Sequence, residues 1–349
     1  MIDITNLTEI KQLDPKNVFG STGMLASQCE QIWEDAKKIS FPDTYKQVKN
    51  IIICGMGGSA YGGYVIPNLF QKNLPVPLFV NNDYHLPAWV NESTLVILAS
   101  YSGSTEESLS CAQEALGKKA QITGLTNGGK LGEFLKTNNL SGLIFETKFN
   151  PSGQPRLAPG YIVLGSIALL NRIGLLQLTD EVVHQAIEDL KRAHESIQAK
   201  AIETAKQLQG TIPVIFAAEI LNGNAHILRN QLNETAKSFS AFSELPELNH
   251  HLMEGLKNPP DKKLTIDLLI SSYYSPSLEK RVRLTRDVVG KNNITSLSFD
   301  ALGSNELSHV LTTLSFGGYV AVYLALLYGL DPSLIPWVDY FKEQLATAS

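Results

Sequence analysis

Cysteine is scarce in this chain. Cys29, Cys54 and Cys111 are its only three in 349 residues, and they form no CxxC pair or other metal-type spacing. A thiol-built metal site is therefore not expected, and a reducing cytoplasm fits. The sequence also offers no signal peptide and no apolar run of transmembrane length, so no membrane association is expected. Positive charge is short too: 29 Lys and Arg against 34 Asp and Glu give a formal net charge of −5. That leaves no basic face to displace counterions from a nucleic acid. An anionic ligand must instead be met by local donors. Charged residues make up only 18% and apolar ones 44%, a balance too apolar for disorder and ordinary for a globular enzyme. At this length a single hydrophobic core is outgrown, and two domains are expected.

What is present is an alternation of strands and helices. Val48 to Cys54 form a short β-branched run that breaks into glycine and resumes as a helical pattern from Ala60. Leu78 to Asn81, Leu95 to Ala99, Gln121 to Leu125 and Gly142 to Phe145 repeat the strand signal, and a helix is expected from Thr105 to Leu116. Ahead of them, Met24 to Ile39 keep the apolar spacing of an amphipathic helix. A loop rich in proline and glycine, Asn150 to Gly160, interrupts before an apolar helix from Tyr161 to Leu170, and the long helical stretch from Asp180 to Leu208 bridges to a second alternation. There the strands are expected at Ile212 to Ala217, Thr265 to Leu269 and Ile294 to Ser298, and the helices at Ala225 to Lys237, Leu278 to Val289 and Glu306 to Leu327. Such alternation predicts an α/β fold of two doubly wound parallel sheets with helices on both faces. The halves, divided as residues 1–175 and 176–349, look like a diverged duplication.

Gly55-Met-Gly-Gly-Ser-Ala60 has the spacing of the dinucleotide fingerprint GxGxxG/A. The acidic residue that should end the second strand and hold a ribose is at best Asp83, set in a loop after Asn81 and Asn82. Close backbone approach to a sugar or phosphate is the better reading, with no nicotinamide cofactor. Ser100-Tyr-Ser-Gly-Ser-Thr105 leaves a strand and leads into Glu106-Glu107-Ser108, a helix first turn. Free amides and the macrodipole there favour an anion, and Ser100, Ser102 and Thr105 add hydroxyls. Plain capping by Ser104 or Thr105 would need one hydroxyl, whereas the loop carries four. Arg156, stiffened between Pro155 and Pro159, either lies on the surface or reaches into a cleft. Glu234, near a helix end with Lys237 on the same face, reads from its neighbours first as an exposed i, i+3 ion pair and only second as a proton-transfer group. Asn249-His-His251 likewise reads as an imidazole source or as a helix start with two solvated rings.

The order of these features carries more than any one of them. The Gly-Gly-Ser turn, the Ser100 to Thr105 loop, Pro155-Arg156, Asn233-Glu-Thr-Ala-Lys237, Pro246-Glu-Leu-Asn-His250 and the tail Asp331-Pro-Ser through Val338-Asp-Tyr-Phe-Lys342 follow one another along nearly the whole chain. In that order they resemble the bifunctional phosphoglucose/phosphomannose isomerases. The resemblance implies two sugar isomerase (SIS) domains, flavodoxin-like or Rossmann-like, and an aldose–ketose isomerase without metal or organic cofactor. Its substrates would be glucose 6-phosphate and mannose 6-phosphate, interconverted with fructose 6-phosphate through an enediol. Carried over by position, the base falls on Glu234, the ring-opening imidazole on His250, the C-terminal active-site lysine on Lys342 and the arginine on Arg156. The phosphate and sugar contacts fall on Gly58, Ser59, Ser100, Ser102 and Thr105. One stretch departs from the pattern: Ala217 to Asn224 lacks the small-residue turn expected after the second half's first strand.

The implied reaction moves one proton between carbons 1 and 2, which a single carboxylate can take and return. Arg156 is expected to stabilise the enediolate, and His250 and Lys342 to shuttle protons during ring opening. The resemblance also implies a homodimer in which His250 serves the partner's site. Phe239, Phe242, Leu245, Pro246 and Leu248 form an apolar segment that could carry His250 toward another chain, or could fill the cleft between the domains of one chain. The rival class is a non-catalytic sugar-phosphate-binding module, in which Glu234 would be dispensable.

Overall fold

The computed structural model describes residues 3–347. Three helices, α1 (Leu7–Leu13), α2 (Val18–Gly23) and α3 (Leu25–Ala36), precede β1 (Asn50–Cys54). Then come α4 (Tyr61–Leu69), β2 (Leu78–Asn81), β3 (Thr94–Ala99), α5 (Glu106–Gly117), β4 (Gln121–Thr126), α6 (Gly129–Thr137) and β5 (Leu143–Ile144). These strands form one parallel sheet of order β2-β1-β3-β4-β5. All six residues of β3 are buried, because helices cover both faces and a parallel strand then needs an unbroken apolar run.

After α7 (Gly165–Ile173), the 29-residue α8 (Asp180–Leu208) leads into the second half. There β6 (Ile212–Ala218), α9 (Asn222–Glu234), β7 (Ala241–Leu245), α10 (Leu252–Gly255), β8 (Leu264–Ile270), α11 (Pro276–Lys291), β9 (Thr295–Asp300), α12 (Glu306–Leu327) and α13 (Pro336–Thr347) follow. The second sheet is also parallel, in the order β7-β6-β8-β9. In each half the chain steps outward from its first strand, then crosses back to set its third strand on the other side. That reversal opens a crevice at the carboxyl ends of β1 and β3, and another at those of β6 and β8, where open α/β sheets bind ligands.

The halves meet through α4 and α9. A Cβ on Gly223 would lie 2.4 Å from the Tyr64 carbonyl oxygen, so glycine is what allows this approach. Tyr64 stacks on His226 with ring centroids 3.7 Å apart. We propose the division at residue 176 on the ground that α8 packs along α12 of the second half.

Several points differ from expectation, and the short helices α1, α2, α6 and α10 are additional to the expected elements. Within the apolar segment before His250, Ala241–Leu245 forms an edge strand paired with β6, an element not expected there. Leu245 and Leu248 are buried within their own chain, and Phe239 alone of the segment's phenylalanines is exposed, at 72%. The C-terminal helix α13 was not anticipated; none of its described residues is buried. Contrary to the reading of no transmembrane-length run, α12 is a helix long and apolar enough to cross a membrane, with mean hydropathy 1.8. It is 94% buried over that window and forms the core of the second half.

One core residue predicts a pH dependence. Asp267 on β8 is fully buried, and neither carboxylate oxygen has a hydrogen-bond partner. Burial pushes its pKa up to about 7 from 3.8, with Lys200 opposing weakly. The folded state thus binds this proton more tightly than the unfolded chain, so its stabilising effect is complete below about pH 4 and lost as pH rises through about 7. Relative to Asp267→Asn, the parent should lose roughly 4 kcal/mol of stability between those limits. Urea unfolding of both chains across this range checks it; a constant difference would return Asp267 to ordinary solvation.

Candidate active site

The crevice between β1 and β3 opens into a cleft of about 650 Å³. Its floor is the turn after β1, where Gly57 takes φ +49° and the chain enters α4. A Cβ on Gly58 would come within 3.2 Å of the Arg156 backbone, so glycine lets the turn and the Arg156 segment close on one another without strain. Ser59 Oγ accepts from the Tyr101 amide at 2.9 Å and ties this turn to the second loop.

That second loop is shaped by Gly103, whose φ is +69° and whose absent Cβ would fall 1.9 Å from the Gly128 carbonyl oxygen. Ser102, Ser104 and Thr105 line the cleft. Ser100 does not: it is fully buried, and its hydroxyl shares a 2.8 Å hydrogen bond with Thr105 Oγ1. It braces the loop from behind. The capping alternative is answered as well. Thr105 is the N-cap of α5 in extended geometry, yet its side chain makes no capping bond, so the first-turn amides of α5 stay open toward the cleft. If the loop holds a phosphate, Ser102→Ala and Thr105→Ala should each raise KM, because a donor to a non-reacting phosphate contributes mostly uniform binding. About 1.5–3 kcal/mol per lost charge-assisted bond corresponds to roughly ten- to a hundredfold. Unchanged kinetics in the double variant would remove the loop from substrate binding.

Arg156 is neither a surface residue nor a free one. Only 1% of its side chain is exposed, in the short turn Pro155–Leu157. Nε donates to Thr235 Oγ1 at 3.2 Å, Nη1 to Gln154 Oε1 at 2.9 Å and Glu234 Oε1 at 3.3 Å, and Nη2 to the Pro332 and Ser333 carbonyls at 2.8 and 3.1 Å. Its five N–H groups therefore have five acceptors. Burial pulls the guanidinium pKa down and the Glu234 carboxylate pushes it back. The arginine holds Glu234 in place, and to reach an enediolate oxygen Nη1 has to release Gln154 or Glu234.

Glu234 ends α9 with 32% of its side chain exposed, at the wall of the cleft. The surface ion pair with Lys237 is not made; Lys237 Nζ donates instead to the Thr235 and Asp331 carbonyls. Lys342 stands on α13 with Val338, Phe341 and Leu345, all lining the same cleft as the two loops. Gly58, Ser59, Ser102, Thr105, Arg156, Glu234 and Lys342 thus converge. His250 does not join them: it closes the turn Glu247–His250 after β7, exposed and outside this chain's cleft. Sequence reasoning missed Met56, Tyr84, Glu106 and Glu107 in the lining. It also missed Gln154 and Thr235 behind Arg156.

The atypical turn after β6 has a physical account. Glu219 occupies it with φ +42°, and its Oε2 accepts from the Ser275 amide at 3.0 Å, just ahead of α11. The second crevice is thus bridged by the chain's own carboxylate, while the first is left open.

Fold and cleft define a double-SIS protein. The C-terminal domain of glucosamine-fructose-6-phosphate aminotransferase from Francisella tularensis shares the fold, with a TM-score of 0.66 at 15% identity over 88% of this chain and 96% of that one. Residues 197–345 match the family of the bacterial phospho-glucose isomerase C-terminal SIS domain. Two bifunctional phosphoglucose/phosphomannose isomerases are similar over most of their length. That of Caldicellulosiruptor bescii is 31% identical over 94% of this chain and 99% of its own. That of Aquifex aeolicus is 32% identical over 90% and 94%. The chain belongs to the bifunctional phosphoglucose/phosphomannose isomerase family.

Proposed function

We propose that this chain interconverts glucose 6-phosphate with fructose 6-phosphate, and mannose 6-phosphate likewise, by moving a proton between carbons 1 and 2. The observation that carries the reading is the Glu234 carboxylate, held 3.3 Å from Arg156 Nη1 beside a loop of open amides and hydroxyls. The loop takes the phosphate, Glu234 takes the proton from one carbon and returns it to the other, and Lys342 in the same cleft handles a proton during ring opening. The names of the family's members support the choice of sugars. We place His250 in the partner's cleft, a reading supported by its exposure outside its own.

Among the described residues no group of three or more His, Cys, Asp or Glu is arranged to hold a metal. The proton transfer proposed for Glu234 needs no metal, so turnover is expected to persist in a strong chelator. Coupled assays starting from each aldose phosphate, with and without chelator, test both points. Loss of activity restored by zinc would sink the metal-free scheme, and no turnover of either sugar would sink the isomerase.

A further inference from the structure

We propose that Lys237 is a positioning residue: its ammonium ties the root of α13 to the end of α9, so that Lys342 is presented to the cleft that Glu234 also lines. The inference rests on the reading of this cleft as the isomerase site.

Lys237 takes left-handed backbone geometry, φ +51°, which a residue with a side chain adopts only where its surroundings require it. Its stem is open to solvent, yet Nζ is engaged: it donates to the Thr235 carbonyl at 3.0 Å and to the Asp331 carbonyl at 2.8 Å. Thr235 lies just past α9, where carbonyls lack a helical partner and a cation is favoured. Asp331 opens the segment that runs into α13. The next two carbonyls of that segment, those of Pro332 and Ser333, are the ones held by Arg156 Nη2. Asp331 Oδ1 accepts from the Ser333 amide at 2.8 Å and folds the segment on itself. Three successive carbonyls therefore end on two cations.

From Pro336 onward α13 buries none of its described residues, and its cleft-facing side carries Lys342. Within its own chain, a helix without buried contacts takes its direction from where it is rooted. Arg156, Glu234 and Asp331 are the charged groups that face Lys237 there. Burial and Arg156 push its ammonium down to about 8, and the two carboxylates oppose the shift. Arg156 fixes the root to the first half and to Glu234, while Lys237 fixes it to the helix that carries Glu234.

A double-mutant cycle in the full chain tests this. Lys237→Met is expected to lower kcat at least about tenfold with KM moved less than about threefold, whereas Lys237→Arg, which keeps donors for both carbonyls, should stay within about threefold of the parent. Lys342→Ala should lower kcat as well. Adding Lys237→Met to Lys342→Ala should lower it no further, because the side chain that Lys237 presents is already gone. Additive losses overturn the proposal, and so does parental kcat in either single variant. Should Lys237→Met not fold, Lys237→Gln carries the same cycle. Glu234→Gln is measured alongside. A parental rate there rejects the reading of the cleft, while an inactive Glu234→Gln with additive Lys237 and Lys342 losses rejects the Lys237 inference alone.

Discussion

Glu234→Gln is expected to slow isomerisation by about two to four orders of magnitude, the usual loss when a positioned base is removed, while sugar-phosphate affinity stays within a few-fold. The amide keeps the shape of the carboxylate and can still accept from Arg156 Nη1, which now sits 3.3 Å from Oε1. It cannot take a proton. Because the phosphate loop lies on the first half and is untouched, binding and chemistry should separate cleanly. The decisive measurement pairs kcat with exchange of the carbon 2 hydrogen into heavy water, since both depend on the same proton transfer. A variant that keeps more than about a tenth of the parental rate places the base elsewhere. A parent chain that binds sugar phosphates tightly but exchanges no hydrogen favours the non-catalytic binding module.

The parts of this site that were legible in the sequence are those written in consecutive residues. Gly55 to Ser59 and Ser100 to Thr105 declare themselves because a strand-to-helix turn needs glycine for close approach and hydroxyls to reach an anion, and residues of both line the cleft. Within the second loop Ser100 turns inward, a distinction that counting hydroxyls cannot make. The bond between Arg156 and Glu234 joins residues 78 apart, and no local pattern encodes it. Still less visible are the carbonyls of Asp331, Pro332 and Ser333, since backbone oxygens carry no residue-type signal. The fold divides in the same way. The spans of β2, α8 and α12 follow directly from periodicity and length. Strand β7 does not, because Ala241-Phe-Ser-Glu-Leu245 becomes a strand only by pairing with β6 at a sheet edge, a tertiary cause.

His250 makes the second large prediction. We expect a homodimer in which each cleft receives His250 from the partner chain, so that His250→Ala and Glu234→Gln chains, each inactive alone, recover activity when mixed. The physical case begins with what the single chain leaves open. No imidazole lines the described cleft, and His250 stands exposed at the end of β7. Trp337, Tyr340 and Phe341 on α13 are 81%, 56% and 62% exposed, and Phe239 is 72% exposed, more aromatic surface than an isolated helix and turn keep in water without a partner. The burial of Leu245 and Leu248 within their own chain narrows this argument to α13 and Phe239, and it leaves the position of His250 unaltered. A twofold interface is self-complementary, so whatever His250 does for one cleft it does for both. In a mixed dimer one cleft combines wild-type Glu234 with wild-type His250 and the other holds both substitutions. If half of the dimers are mixed, roughly a quarter of parental activity should return. Mixed dimers isolated by two affinity tags and still inactive would show that His250 acts within its own chain, and sedimentation as a monomer at assay concentration would remove the shared site altogether.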